Sequence, residues 1–201
     1  MLLVGTLFLP SPSTAAPSER PRELLWAGDP EGGAPFVEAD PANPDKLVGF
    51  DVDIADLIAR GLGREAGFVN VTFTAIDQSV ERGDAEIGLS GIEDTPARRA
   101  TMAPTVPYYQ FREVLSVRDA DASRFRSLAD LRGRRVGTLG GTIAYDILLR
   151  AEQDFGIEAV SYDDDVHPYS DLLIGRLDAV LLDNVLAERR QRALPGFTIQ
   201  P

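Results

Sequence analysis

Two stretches, ERGDAEIGLSG at residues 81–91 and IGRLDAVLLDN at residues 174–184, run through the same order of residue types. Each passes from a helix end through a glycine turn and an acidic residue into an apolar strand, then into polar residues. In a parallel α/β sheet, ligands sit outside the carboxyl ends of the strands. The echo therefore puts Ser90-Gly91 and Asp183-Asn184 at corresponding mouths of two units. If the units face each other, polar groups line both walls of one cleft.

The surrounding sequence supports two such units. Leu24–Ala27 reads as a buried strand carrying Trp26 into the core, and GDPEGGAPF (28–36) as a loop forced by glycine and proline. Phe50–Leu62 has Ile54, Leu57, Ile58 and Leu62 at helical spacing, with Asp51 or Asp53 to cap it and Gly61 or Gly63 to end it. VNVTF (69–73) is a predicted strand, a short helix follows over Asp77–Arg82, and AEIGLS (85–90) is a further strand. The second half repeats the grammar. Ser127 with Asp130 three residues on marks a helix start, RRVGTL is a strand, GGT a tight turn, and Thr142–Phe155 a helix. IEAVSY then reads as a strand, Pro168–Gly175 as a helix and AVLLD (179–183) as a strand. QFREVLSVR (110–118) is an extended crossing between the halves. Alternating strands and helices give an α/β class with a largely parallel sheet. The expected division is lobe 1 over 23–110, then a hinge strand and lobe 2 over 111–201.

Composition narrows the chemistry. The 201 residues are 44% hydrophobic and 26% charged, an ordinary globular balance. Twenty basic against 32 acidic residues give a formal charge of −12, which argues against nucleic acid or anionic lipid as a partner. With no cysteine and one histidine, disulfides and thiolate metal sites are absent, and no nucleophile pair exists except one built on His167. No cofactor and no metal are expected. YDDDV (162–166) lacks the spacing of a Ca²⁺ loop and reads as a solvated loop. His167 reads as a surface histidine at a helix start with no visible partner. At the N-terminus, Leu2–Leu9 form an apolar run too short to span a bilayer, followed by small residues that suit signal-peptidase cleavage. Residues 1–22 read as a secretory signal, the alternative being a disordered tail.

Two places carry the marks of an anion site. Thr95 suits a helix N-cap and Pro96 the first helical position, so Arg98 falls in the first turn, where a cation opposes the helix dipole. An arginine there needs an anion beside it. That anion is either a substrate carboxylate or a protein acid such as Glu93. In GTLGGTIAYD (137–146) the glycines permit close backbone approach, and the N–H groups of Thr142 and Ile143 form a small anion site or a plain strand-to-helix turn. The stretch matches neither a phosphate-binding P-loop nor a dinucleotide fingerprint.

Taken in order, GFDVDIADLIA, ERGDAEIGLSGIEDTPARR, VPYY, SLADLRGRRVGTLGGT and GRLDAVLLDN resemble the periplasmic substrate-binding proteins of amino-acid ABC transporters, over residues 24–201. The resemblance implies a two-lobed periplasmic-binding-protein fold of type II with the ligand cleft between the lobes. It also implies a monomer that is exported to the periplasm, binds a free amino acid and delivers it to a membrane permease. Carried onto this chain, Arg98 and the N–H groups of Thr142 and Ile143 would clamp the α-carboxylate. Asp183 and the Gly91 carbonyl would hold the α-ammonium beside Ser90, with side-chain selection near Asp29 and Phe73 against the ligand. Glu93 stands where relatives carry Ser or Thr, and Gly32-Gly33 where many stack an aromatic. The family also continues through a second crossing back into the first lobe, beyond the point where this sequence stops.

These implied residues set three carboxylates, Asp29, Glu93 and Asp183, against Arg98. Unpaired buried carboxylates are costly, so a cationic amino acid is expected over glutamate or aspartate. The competing account pairs Glu93 with Arg99 or Arg112 at the cleft edge. Two further classes remain open: a dehydratase acting on prephenate or arogenate, which resembles the same family and would use Glu93 as general acid, and the ligand-sensing domain of a larger receptor.

Overall fold

In the computed structural model, which describes residues 22–31 and 33–200, the first strand forms because Leu24, Trp26 and Ala27 all find apolar neighbours. β1 (Glu23–Gly28) lies at the centre of a three-stranded parallel sheet, between β4 (Glu65–Asn70) and β5 (Ile87–Gly88). Trp26 pairs in register with Phe68, and their rings meet at 4.6 Å. A hairpin of β2 (Glu38–Asp40) and β3 (Asn43–Val48), which the sequence does not announce, lies between β1 and α1 (Phe50–Gly61).

Helix α1 turns a different face inward from the one its large apolar residues suggest. Asp51, Ala55 and Ala59 are buried, whereas Leu57 and Leu62 are exposed. Neither acid caps it. Gly49 is the N-cap, and the buried Asp51 accepts the Gly91 N–H (2.8 Å) and the Tyr108 hydroxyl (3.0 Å). The strand expected over 69–73 lies earlier, at β4; Phe73 belongs to a 3₁₀ turn that leads into α2 (Ile76–Arg82). The strand expected over 85–90 is only the two residues of β5. Helix α3 (Pro96–Thr101) begins as its sequence dictates, with the Thr95 hydroxyl accepting the Arg98 N–H at 3.2 Å.

After a stretch without regular structure, β6 (Glu113–Arg118) enters a second sheet. Ser127 and Asp130 form a reciprocal capping box, but over a single 3₁₀ turn, Leu128–Leu131. β7 (Arg135–Leu139), α4 (Ile143–Phe155), β8 (Glu158–Tyr162), α5 (His167–Leu173), β9 (Ala179–Asp183), α6 (Asn184–Ala193) and β10 (Phe197–Ile199) follow. The strand order is β10-β6-β9-β7-β8. β7 runs parallel to β8 and β9, while β6 is antiparallel to both β9 and β10, so the second sheet is mixed rather than largely parallel. β9 is buried at every residue, as its unbroken AVLLD run requires.

One apolar cluster joins the two lobes: Phe73 and Ile76 from the first pack with Leu139, Leu182 and Leu186 from the second. The surface acids also differ from expectation. Asp164 accepts the N–H groups of Val166 and His167 and bonds the His167 ring, giving that exposed histidine a partner. Asp165 is fully buried against Arg190 rather than solvated.

Candidate functional site

Between the lobes lies a narrow cavity of about 20 Å³. Phe73, Ser90, Gly91 and Glu93 of the first lobe and Thr142 and Asp183 of the second are on its wall. The turn after β5 brings Gly91 there with φ +66°, a conformation that favours glycine, and its Cα faces the Phe36 ring so closely that a Cβ would lie 2.7 Å from it. Phe36 and Phe111 supply aromatic wall that the sequence reading did not anticipate.

Arg98 is committed to protein acceptors. Nε donates to both oxygens of Asp77 (3.0 and 3.2 Å), Nη1 to the Glu93 carboxylate (2.7 Å) and carbonyl (3.0 Å), and Nη2 to the Gly141 carbonyl across the cleft (3.2 Å). Burial opposes its charge, but Glu93 and Asp77 hold its pKa above the ordinary value. Its guanidinium also sits 5.9 Å from the Phe73 ring centroid. The other Glu93 oxygen accepts the Ile143 N–H at 3.1 Å, at the first turn of α4. Glu93 thus bridges the lobes, and it does not pair with Arg99, whose partner is Asp94. Arg98 and Ile143 lie behind Glu93 and are not on the cavity wall.

The second lobe contributes acids. Thr142 is the N-cap of α4, its hydroxyl accepting the Tyr145 N–H. Asp183 caps α6 through Oδ1, which accepts the N–H groups of Val185 (2.8 Å) and Leu186 (3.0 Å). Glu113, at the start of β6, is its register partner across the antiparallel pair and is also on the wall. Burial, then Asp183 and Glu93, push the Glu113 carboxyl up to about 8. Burial raises Asp183 to about 6, with the cap bonds opposing it and Glu93 adding to it. Glu113 Oε2 is buried without a hydrogen-bond partner.

Asp29 is not brought to the cavity. Its carboxylate turns back to accept the N–H groups of Glu31 and Phe73 (both 2.9 Å), and its own N–H reaches the Ser90 hydroxyl (3.3 Å), so it braces the turns behind the wall. Asp51 and Asp77 also escaped the sequence reading: one fixes the Gly91 backbone, the other fixes Arg98.

A two-lobed α/β chain with its candidate site between the lobes has the architecture of a periplasmic binding protein, and its likeness to solved structures places it in type II. The chain belongs to the bacterial extracellular solute-binding proteins, family 3, whose model matches residues 28–191. It is 29% identical to the ABC transporter arginine-binding protein 1 of Escherichia coli K12, covering 82% of this chain and 65% of that protein. It is 31% identical to the histidine-binding periplasmic protein of Salmonella typhimurium, covering 95% of this chain and 70% of that one. Among solved structures, an ancestral arginine-binding protein bound to arginine superposes with a TM-score of 0.82 at 27% identity, over 90% of this chain and 79% of that one. The holo form of ArgBP from T. maritima gives 0.79 at 31% identity, over 89% and 76%.

Proposed function

We propose that this chain is an extracytoplasmic receptor that binds a free amino acid with a cationic side chain between its lobes and delivers it to an ABC transporter permease. The reading divides the chain into lobe 1 over 23–110 and lobe 2 over 111–201, working as a monomer. The secretory signal expected at residues 1–22 lies outside the described residues, except Arg22. The carrying observation is the acidic wall: Glu93, Glu113 and Asp183 face one cavity, while Arg98 is already matched by Glu93 and Asp77. Burial and then repulsion raise Glu113; a cation relieves the repulsion, whereas an acidic ligand adds to it. The arginine- and histidine-binding relatives support the same direction.

In this reading the ligand's α-carboxylate takes Arg98 and the N–H groups of Thr142 and Ile143, displacing Glu93, and its ammonium meets Asp183 and the Gly91 carbonyl. Ser90 and Phe73 complete the wall. Calorimetry with arginine, lysine, ornithine and histidine against glutamate and aspartate tests it, and tighter binding of glutamate than of arginine rejects it.

One observation favours a second reading. A carboxyl held protonated near neutral pH, as Glu113 is, suits a general acid for an elimination such as prephenate or arogenate dehydration. Release of an aromatic product from either compound would establish that enzyme, and its absence would reject it.

A further inference from the structure

The positive equipment of the cleft is spent inside the protein. Besides the N–H of Thr142, the groups suited to hold a carboxylate are its guanidinium, Arg98, and the N–H of Ile143 at the first turn of α4. Both already hold one carboxylate, that of Glu93, at 2.7 and 3.1 Å. Glu93 lies on the cavity wall and the two donors lie behind it. The charged groups left facing the cavity on the second lobe, Glu113 and Asp183, are both acids.

We infer that Glu93 is a built-in replacement for the ligand carboxylate, and that the cleft prefers a cation lacking one: an alkyl amine, diamine or guanidine. The inference rests on the proposed function's placing of the ligand in this cleft, and moves the preferred ligand from a cationic amino acid to the same cation without its carboxylate. A ligand bearing a carboxylate must exchange it for that of Glu93 at Arg98 and Ile143. The exchange gains little, because one charge-assisted pair replaces another. It also leaves the largely buried Glu93 carboxylate without those partners beside Glu113 and Asp183, where like charges already oppose ionisation. A ligand without a carboxylate leaves both Glu93 bonds in place and brings only positive charge to the acidic wall. The tie of Glu93 to Ile143, with that of Arg98 to the Gly141 carbonyl, also holds the lobes together on one side of the cleft, so such a ligand needs no bridging anion.

The test uses two pairs of compounds that differ only by the carboxylate, agmatine against arginine and cadaverine against lysine, titrated calorimetrically into the full chain. The decarboxylated member is expected to bind more tightly by about tenfold or more. Glu93→Ser, which frees Arg98 and the Ile143 N–H, is expected to reverse the order. Arginine and lysine binding as well as, or better than, their amines in the unmodified protein overturns the inference and leaves the amino-acid receptor standing. Retention of the amine preference in Glu93→Ser also overturns it, because the selectivity then has another source. No response to either member of either pair overturns both readings. If Glu93→Ser does not fold, the order in the unmodified protein decides.

Discussion

Ligand affinity should rise steeply with pH between 6 and 8, and Glu113 sets the size of the effect. Its carboxyl titrates at about 8 and that of its cross-strand partner Asp183 at about 6, each raised first by burial. A cation bound against this wall favours the ionised form of both, so binding must expel the protons they carry. If both end fully ionised, the Glu113 proton alone makes affinity at pH 8 about fiftyfold greater than at pH 6, from (1 + 10²)/(1 + 1). Asp183 adds about twofold, which brings the upper bound to about a hundredfold. At pH 7 about nine-tenths of Glu113 and one-tenth of Asp183 are protonated, so binding should release about one proton. Agmatine, a dication, and arginine and lysine, net monocations, each keep nearly constant charge across this window, so the slope reports the protein. Calorimetry in buffers of different ionisation enthalpy reads affinity and proton release together. Glu113→Gln should flatten the dependence to about twofold. A flat profile without proton release would refute the coupling of Glu113 to the ligand.

The same two groups make the ligand-free fold less stable as pH rises. Their folded pKa values lie above the ordinary carboxyl values, so the stability these two contribute is full below about pH 4 and is lost as pH rises through about 6 and 8, which the Tm difference between the unmodified protein and Glu113→Gln across that range will show. Arg98→Ala strands Glu93 and Asp77. It should cost about 2–4 kcal/mol in denaturant unfolding, less than for a fully buried pair because Asp77 is half-exposed, and an unchanged midpoint would place Arg98 outside the network. Gly91→Ala sets a Cβ against Phe36 at a positive φ and should destabilise by about 1 kcal/mol or more, measured the same way. Asp183→Ala removes the α6 cap at a cost of about 0.5–2 kcal/mol, and ligand affinity should fall with it.

What the sequence made legible was local. The Thr95 cap, the Ser127–Asp130 box and the unbroken β9 run are decided by residues a few positions apart, and they stand where their patterns place them. What stayed hidden depends on pairing over long separations. Glu113 meets Asp183 only because β6 runs antiparallel to β9, and nothing in EVLSVR states that direction. Asp51 seemed available as a cap, yet Gly91 and Tyr108, far along the chain, claim its oxygens. The inward face of α1 was misleading for a related reason: the sheet approaches closely enough to select Ala55 and Ala59 over the larger residues.

Glu93 shows where such reading reaches its limit. From sequence, the anion for Arg98 was either a substrate carboxylate or a nearby acid, and both fit the helix-start geometry. In the folded chain the acid sits between donors from two lobes: Arg98, five residues on, and Ile143, fifty residues on. Only the second of these makes Glu93 more than a local ion pair. An acid that merely neutralised Arg98 could do so from Asp77 alone, which already spans Nε with both oxygens. A carboxylate that also takes a backbone N–H from the opposite lobe fixes the geometry of the cleft. Its replacement by serine therefore tests ligand choice and lobe closure at once: if Glu93 ties the lobes, small-angle scattering of ligand-free Glu93→Ser should show a larger radius than the unmodified protein, and an equal radius would leave the tie without consequence.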